Sequence, residues 1–291
     1  MFKGSMVAIA TPMHEDGAID YDALAQYVEF HVENDSDVLV PAGTTGESAT
    51  MDHKEHCEVI KFVVDQVKGR IPVIAGTGAN STTEAIDLTQ CAKDAGADAC
   101  LLVSPYYNKP TQEGLVLHHK AIAKAVLIPQ ILYNVPGRTA CDLLPETAVK
   151  LSTVENIVGI KEATGDIDRC TKILDGSPEG FMLISGDDDT AMEFLLAGGC
   201  GVITVAGNVA PKLFHDMCMA AIGGDRKKAQ SLNKKLERLN KDLFVESNPI
   251  PVKWCLTEMG LFPKGTRLPM THLSSQYHDT LRAALTAAGS I

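Results

Sequence analysis

Eight short apolar runs of strand type recur along the chain, and their spacing limits the folds open to it. They are Met6-Val7-Ala8-Ile9, Val38-Leu39-Val40, Val73-Ile74-Ala75, Cys100-Leu101-Leu102-Val103, Ile131-Leu132-Tyr133, Ile157-Val158-Gly159-Ile160, Met182-Leu183-Ile184 and Val202-Ile203-Thr204-Val205. They are continuous rather than alternating, as in parallel strands buried on both faces. They recur every 20 to 35 residues, roughly the length of one strand-plus-helix unit. The stretches between them are amphipathic and open on helix start signals. Asp20 precedes a predicted helix over residues 21–33, Asp52 one over 53–68, and Thr111 one over 112–126, while Ser81-Thr82-Thr83-Glu84 reads as a capping box. Shorter helices are predicted over 145–152, 166–174 and 188–197. Gly and Pro mark the joints, as in Lys68-Gly69-Arg70-Ile71-Pro72 and Asp94-Ala95-Gly96-Ala97-Asp98.

Eight such units predict an α/β fold closed into a (β/α)8 TIM barrel, for which 291 residues suffice. An open doubly wound sheet is the alternative and calls for a nucleotide fingerprint. The nearest candidate, Gly76-Thr77-Gly78-Ala79-Asn80-Ser81, lacks the third glycine, and a tight strand-to-helix turn accounts for it better. Helices over 212–222, 225–245, 251–259 and 274–288 follow the last strand. The expected division is a catalytic barrel over 1–224 and a C-terminal helical extension over 225–291, packed on the barrel or on a partner subunit.

Charge and cysteine usage narrow the function classes. The net charge of −11, with no basic stripe, argues against a nucleic-acid partner. Neither the acidic run Asp187-Asp188-Asp189 nor the pair His118-His119 suggests chemistry; both are expected at the surface or at helix starts. Eight cysteines without a C-x-x-C pair suggest reduced, mostly buried thiols rather than a disulfide frame or a zinc site. The apolar stretch near the N-terminus, about five residues ending in Thr11-Pro12, is too short for a signal peptide or membrane span, so a cytoplasmic protein is expected.

Chemistry in a barrel sits where the strands end. At the end of the sixth run stands Lys161. Burial disfavours an ammonium, and a neutral amine is a nucleophile able to form a Schiff base with a ketone. Gly159, two positions back on the same face, would leave room beside it. The plain alternative is a lysine snorkelling from a strand end. The other strand ends carry Gly43-Thr44-Thr45-Gly46-Glu47, Ser104-Pro105-Tyr106-Tyr107-Asn108 and Tyr133-Asn134-Val135-Pro136-Gly137-Arg138-Thr139. Hydroxyls to shuttle protons, an arginine fork for a carboxylate and an amine for imine formation make a coherent set. Taken singly, the tyrosines and threonines suit packing and loop hydrogen bonds equally well.

The segments Gly43 to Glu47, Tyr133 to Thr139 and Gly159-Ile160-Lys161-Glu162-Ala163-Thr164-Gly165-Asp166 resemble, in order and spacing, the three signature segments of the dihydrodipicolinate synthases, also called 4-hydroxy-tetrahydrodipicolinate synthases. The similarity extends to Asn248-Pro249-Ile250-Pro251-Val252-Lys253. The resemblance implies a class I aldolase-type barrel that condenses pyruvate with L-aspartate 4-semialdehyde in the diaminopimelate route to lysine. Lys161 would form the Schiff base and Tyr133 act as acid and base, linked through Thr44 to Tyr107 of a neighbouring subunit. Thr45 and the backbone of Ile203 would hold the pyruvate carboxylate and Arg138 that of the semialdehyde, with Gly186 also among the substrate-binding positions. No metal or organic cofactor is implied, and a homo-oligomer, a dimer or dimer of dimers, is.

Ser48, Ala49, His53, His56, Asn80, Glu84 and Tyr106 match the positions where lysine-regulated members bind L-lysine as inhibitor. Glu84 would pair with its amino group, and His53 and His56, three apart on one helix, would face the same way. A solvated helix face is the alternative; a metal site lacks a third ligand. Sibling lyases such as N-acetylneuraminate lyase or keto-deoxy-sugar aldolases share the lysine and tyrosine, but lack an arginine at the position of Arg138 and usually carry Ser at that of Thr45. A non-catalytic barrel would be expected to lose Lys161 or Tyr133.

Overall fold

Every apolar run becomes a strand in the computed structural model, which describes residues 2–291. The strands are β1 (Gly4–Val7), β2 (Val38–Leu39), β3 (Ile74–Gly76), β4 (Ala99–Val103), β5 (Gln130–Asn134), β6 (Ile157–Glu162), β7 (Met182–Ser185) and β8 (Gly201–Thr204). All neighbours pair in parallel, in the order β2-β1-β8-β7-β6-β5-β4-β3. A parallel bridge from Leu39 to Val73 joins the two ends of that order, so the sheet closes on itself. The predicted barrel is the observed one.

The helices are α1 (Tyr21–Glu33), α2 (His53–Val67), α3 (Thr82–Ala95), α4 (Gln112–Ala125), α5 (Pro136–Thr139), α6 (Pro145–Leu151), α7 (Asp168–Gly176), α8 (Ala191–Leu196), α9 (Pro211–Ile222), α10 (Arg226–Asp242), α11 (Ile250–Glu258) and α12 (His278–Ala288). Asp20, Asp52, Ser81 and Thr111 each accept a backbone N–H at the first turn of α1 to α4, satisfying a donor that has no partner within the helix. The reciprocal half of the Ser81 capping box is diverted, because the Glu84 carboxylate turns to the His53 ring instead. No helix among the described residues is long and apolar enough to cross a membrane.

Strand alternation sorts the core. Met6, Val38, Ile74, Leu101, Ile131, Ile184 and Ile203 fill the barrel interior, while Val7, Leu39 and Val202 face outward against the helices. Leu236 and Leu239 of α10, Val252 and Leu256 of α11 and Leu281 and Leu285 of α12 join that same outer cluster. The extension therefore packs on its own barrel and brings residues 240–267 over the strand ends.

Several expectations from sequence are corrected. Cys57 of α2 and Cys91 of α3 are joined in a disulfide, their Cα atoms 6.1 Å apart. Consecutive barrel helices lie side by side, and no local spacing motif announces such a pair. His118 and His119 are buried inside the helical layer rather than exposed on α4. Asp188 is also buried. Its Oδ2 accepts the backbone N–H groups of Val205 and Ala206 at 2.9 and 2.7 Å. With Asp188 so engaged, α8 starts at Ala191, three residues later than predicted.

Candidate active site

The loops that leave the strands enclose a cavity of about 720 Å³ at one mouth of the barrel. Thr44, Thr45, Tyr133, Arg138, Lys161 and Gly186 all line it. Lys161 comes from β6, opposite Tyr133 of β5 and Ile184 of β7 in the strand register. It is buried, and its Nζ lies 4.2 Å from the centre of the Tyr133 ring. The next residue, Glu162, points to the opposite face of the strand, where Arg169 meets it at 3.2 Å and Asn134 donates to it. Burial pushes the Glu162 carboxyl above its ordinary range while Arg169 pulls it back. Alternation along one strand thus separates the acid from the amine.

The glycine that makes room for Lys161 is Gly186. A Cβ there would lie 2.7 Å from Lys161 Cε and 2.6 Å from the Ala163 methyl, so any side chain would displace the lysine. Gly159 serves the sheet instead: a Cβ on it would come within 2.7 Å of the Met182 carbonyl on β7. Likewise Gly76 and Gly78 let neighbouring backbones approach, a Cβ at either falling within 2.3 Å of Ala42 or Val103. That supports the turn reading of this segment over a nucleotide loop.

Thr44 and Thr45 sit on the loop after β2, which the extension pins from above. Asn248 Nδ2 donates to Thr45 Oγ1 at 3.0 Å. Glu47, at a positive φ of 60°, accepts the ammonium of Lys253 from α11 and the backbone N–H of Arg267 at 3.3 Å. Burial disfavours the charged form of Lys253 and Glu47 opposes that shift. Arg138 rides on α5, a turn begun by Pro136 that sequence periodicity is too short to reveal, and reaches the Asn248 carbonyl at 3.4 Å. Sequence reading assigned no role to Asn248 or Lys253, whose side-chain partners Thr45 and Glu47 lie more than 200 residues away in the chain.

Two predicted residues fall outside this cavity. Ile203 is packed in the barrel interior, and Val205, two residues on, lines the cavity. Tyr107 is 88% exposed, with a φ of +75° and its N–H bonded to the Thr139 carbonyl at 3.2 Å. It does not line the cavity of its own chain.

An adjoining cleft of about 310 Å³ shares Thr44, Ser48, Arg138 and Asn248 with the main cavity. Ser48, Ala49, His53, His56, Glu84 and Tyr106 line it. His53 Nε2 meets Glu84 Oε1 at 2.9 Å, whereas His56 is buried, bonded to the Gly76 carbonyl at 2.7 Å and held below its ordinary pKa by desolvation. The two histidines therefore reach one cleft in different states of exposure. Asn80 does not line it but braces its edge, donating to the Tyr106 carbonyl at 3.1 Å. Among the described residues no group of three or more His, Cys, Asp or Glu side chains is placed to hold a metal ion.

Residues 1–288 match the family described as the Dihydrodipicolinate synthetase family. A 4-hydroxy-tetrahydrodipicolinate synthase of Thioalkalivibrio sulfidiphilus is 62% identical over 99% of this chain and 98% of its own. Among solved structures, the chloride-inhibited dihydrodipicolinate synthase of Acinetobacter baumannii, complexed with pyruvate, superposes with a TM-score of 0.98 at 54% identity and covers 100% of both chains. The enzyme of Cyanidioschyzon merolae with lysine bound gives 0.96 at 38% identity, over 100% of this chain and 99% of its own. Matched over essentially its whole length in sequence and fold, the chain belongs to the dihydrodipicolinate synthetase family, a family of lyases.

Proposed function

We propose that this lyase condenses pyruvate with L-aspartate 4-semialdehyde to 4-hydroxy-tetrahydrodipicolinate, the first committed step of the diaminopimelate route to lysine. The observation that carries the reading is Lys161: buried, opposite Tyr133, and opening on a cavity that also holds Thr44, Thr45 and Arg138. The Lys161 amine attacks the ketone carbon of pyruvate, water leaves, and an iminium forms. The iminium acidifies the adjacent methyl group. Loss of a proton there gives an enamine, whose carbon attacks the aldehyde while the aldehyde oxygen takes up a proton; the substrate's own amine then adds to the iminium carbon and expels the Lys161 amine, which closes the ring and frees the enzyme. Tyr133 is the group placed beside the amine to carry those protons. Thr45 holds the pyruvate carboxylate and Arg138 that of the semialdehyde, a fork suited to a planar anion. The pyruvate-bound relative supports the first substrate.

Tyr107 belongs to the same reading through a second copy of the chain. Its exposed ring and fixed backbone support that role. L-lysine is the proposed inhibitor, bound in the cleft of His53, Glu84 and Tyr106; a lysine-bound relative supports this. Its ammonium would share the Glu84 carboxylate with His53.

Borohydride reduction in the presence of pyruvate, followed by intact and peptide mass, tests the central step. A pyruvate adduct on Lys161 that Lys161→Ala abolishes is expected. Trapping that persists in that variant, or none in the folded wild-type protein, overturns the reading. For the inhibitor site, His53→Ala with Glu84→Ala is expected to shift the lysine inhibition curve to higher concentration, and an unchanged curve rejects that placement.

A further inference from the structure

Asn248 touches both groups to which the proposed reaction gives a carboxylate. It lies in the extension just before α11, is 4% exposed, and comes from 203 residues beyond Thr45. Its side-chain Nδ2 donates to Thr45 Oγ1 at 3.0 Å, and its backbone carbonyl accepts from the Arg138 guanidinium at 3.4 Å. Its Oδ1 has no partner among the described residues.

The direction of the Thr45 bond matters. A hydroxyl has one proton and two lone pairs. When Thr45 accepts the Asn248 amide proton, its own proton is free to point into the cavity and meet an anion. With the amide reversed, Oδ1 would take the Thr45 proton, and the hydroxyl would show lone pairs to a carboxylate. We propose that Asn248 is a positioning residue of the reaction: it commits the Thr45 hydroxyl to donate to the pyruvate carboxylate and holds Arg138 at a fixed distance from it. The inference rests on the reading of Thr45 and Arg138 given above. It makes the extension a working part of the site, since the anion-holding geometry of the β2 and β5 loops is set by a residue outside the barrel.

The test uses the full-length protein, steady-state kinetics and borohydride trapping. Asn248→Ala is expected to raise KM for pyruvate about tenfold while kcat falls less than about threefold, the pattern of lost substrate binding. Asn248→Asp keeps the shape but turns the donor into an acceptor, so its KM rises further, and the deficit shrinks as pH is lowered from about 8 to 6 and the carboxyl gains a proton. In a Thr45→Ala background, Asn248→Ala is expected to add less than about twofold, because the two act through one hydroxyl. A KM within about twofold of wild type in Asn248→Ala, or a full tenfold effect retained in the Thr45→Ala background, overturns the inference while leaving the Schiff-base reading standing. Wild-type protein that traps no pyruvate removes that reading and this inference together.

Discussion

The Lys161 Nζ lies 4.2 Å from the centre of the Tyr133 ring, and β5 and β6 hold the two residues directly opposite one another. In the proposed reaction the ring has two separable roles: its face packs against the end of the lysine side chain, and its hydroxyl carries protons. Tyr133→Phe keeps the face and loses the hydroxyl. Its expected phenotype is a folded protein that still traps pyruvate on Lys161 under borohydride but turns over about 10² to 10⁴ times more slowly. Turnover within a few-fold of wild type would remove the phenol from the proton path.

Glu47 and Lys253 form an ion pair that is almost wholly out of water. Removing one partner leaves the other charge buried alone, which costs about 3 to 5 kcal/mol, whereas replacing both with neutral groups costs far less. Lys253→Met is therefore expected to lower the urea unfolding free energy by about that amount, and Glu47→Gln combined with Lys253→Met to recover most of it. Additive losses in the double variant would show that the pair is not the unit.

The barrel was legible because closed parallel sheets need continuous apolar strands at regular intervals, and the runs at Ile131 and Ile157 are strands within a residue or two of their predicted limits. Lys161 was legible for a related reason, as a charge that ends such a run. What sequence hid depends on tertiary neighbours. Nothing local says that Cys57 faces Cys91, that Asn248 meets Thr45, or that Gly186 rather than Gly159 clears space for the lysine stem. His119 and Asp188 look like surface residues by type. They are buried because α4 turns one face inward and because the β8 loop needs an acceptor for two N–H groups.

Buried histidines predict acid sensitivity. Desolvation lowers His118 to about 4 and His31 and His119 to about 3. The unfolded chain protonates these rings near 6.5, before the folded protein can. Their contribution to stability is thus present above about pH 6.5 and is lost as pH falls toward 4 for His118 and toward 3 for His31 and His119. Neither ring nitrogen of His119 has a partner among the described residues, which makes it the cleanest probe. His119→Leu should flatten the loss of stability between about pH 6.5 and 4, measured by urea unfolding at each pH. A variant with the wild-type slope would exclude this ring as a source of it.

Asp188 carries the opposite sign. Burial raises its carboxyl from 3.8 to about 6, although the N–H groups of Ala206 and Val205 work against the shift. The folded protein binds this proton more tightly than the unfolded chain does. The group therefore adds stability as pH falls from about 6 toward 3.8, and above about 6 its ionised form costs the folded state about 3 kcal/mol. Asn at this position keeps an oxygen for both N–H groups and has no charge to bury. Asp188→Asn is expected to be more stable than wild type by about 1 to 3 kcal/mol at pH 8, with the gain vanishing toward pH 4. Comparing the two proteins at each pH cancels the histidine contribution, since both retain the same rings. If instead the variant is destabilised equally at pH 8 and pH 5, the carboxylate's role is to hold the β8 loop as an anion, and its burial carries no electrostatic cost.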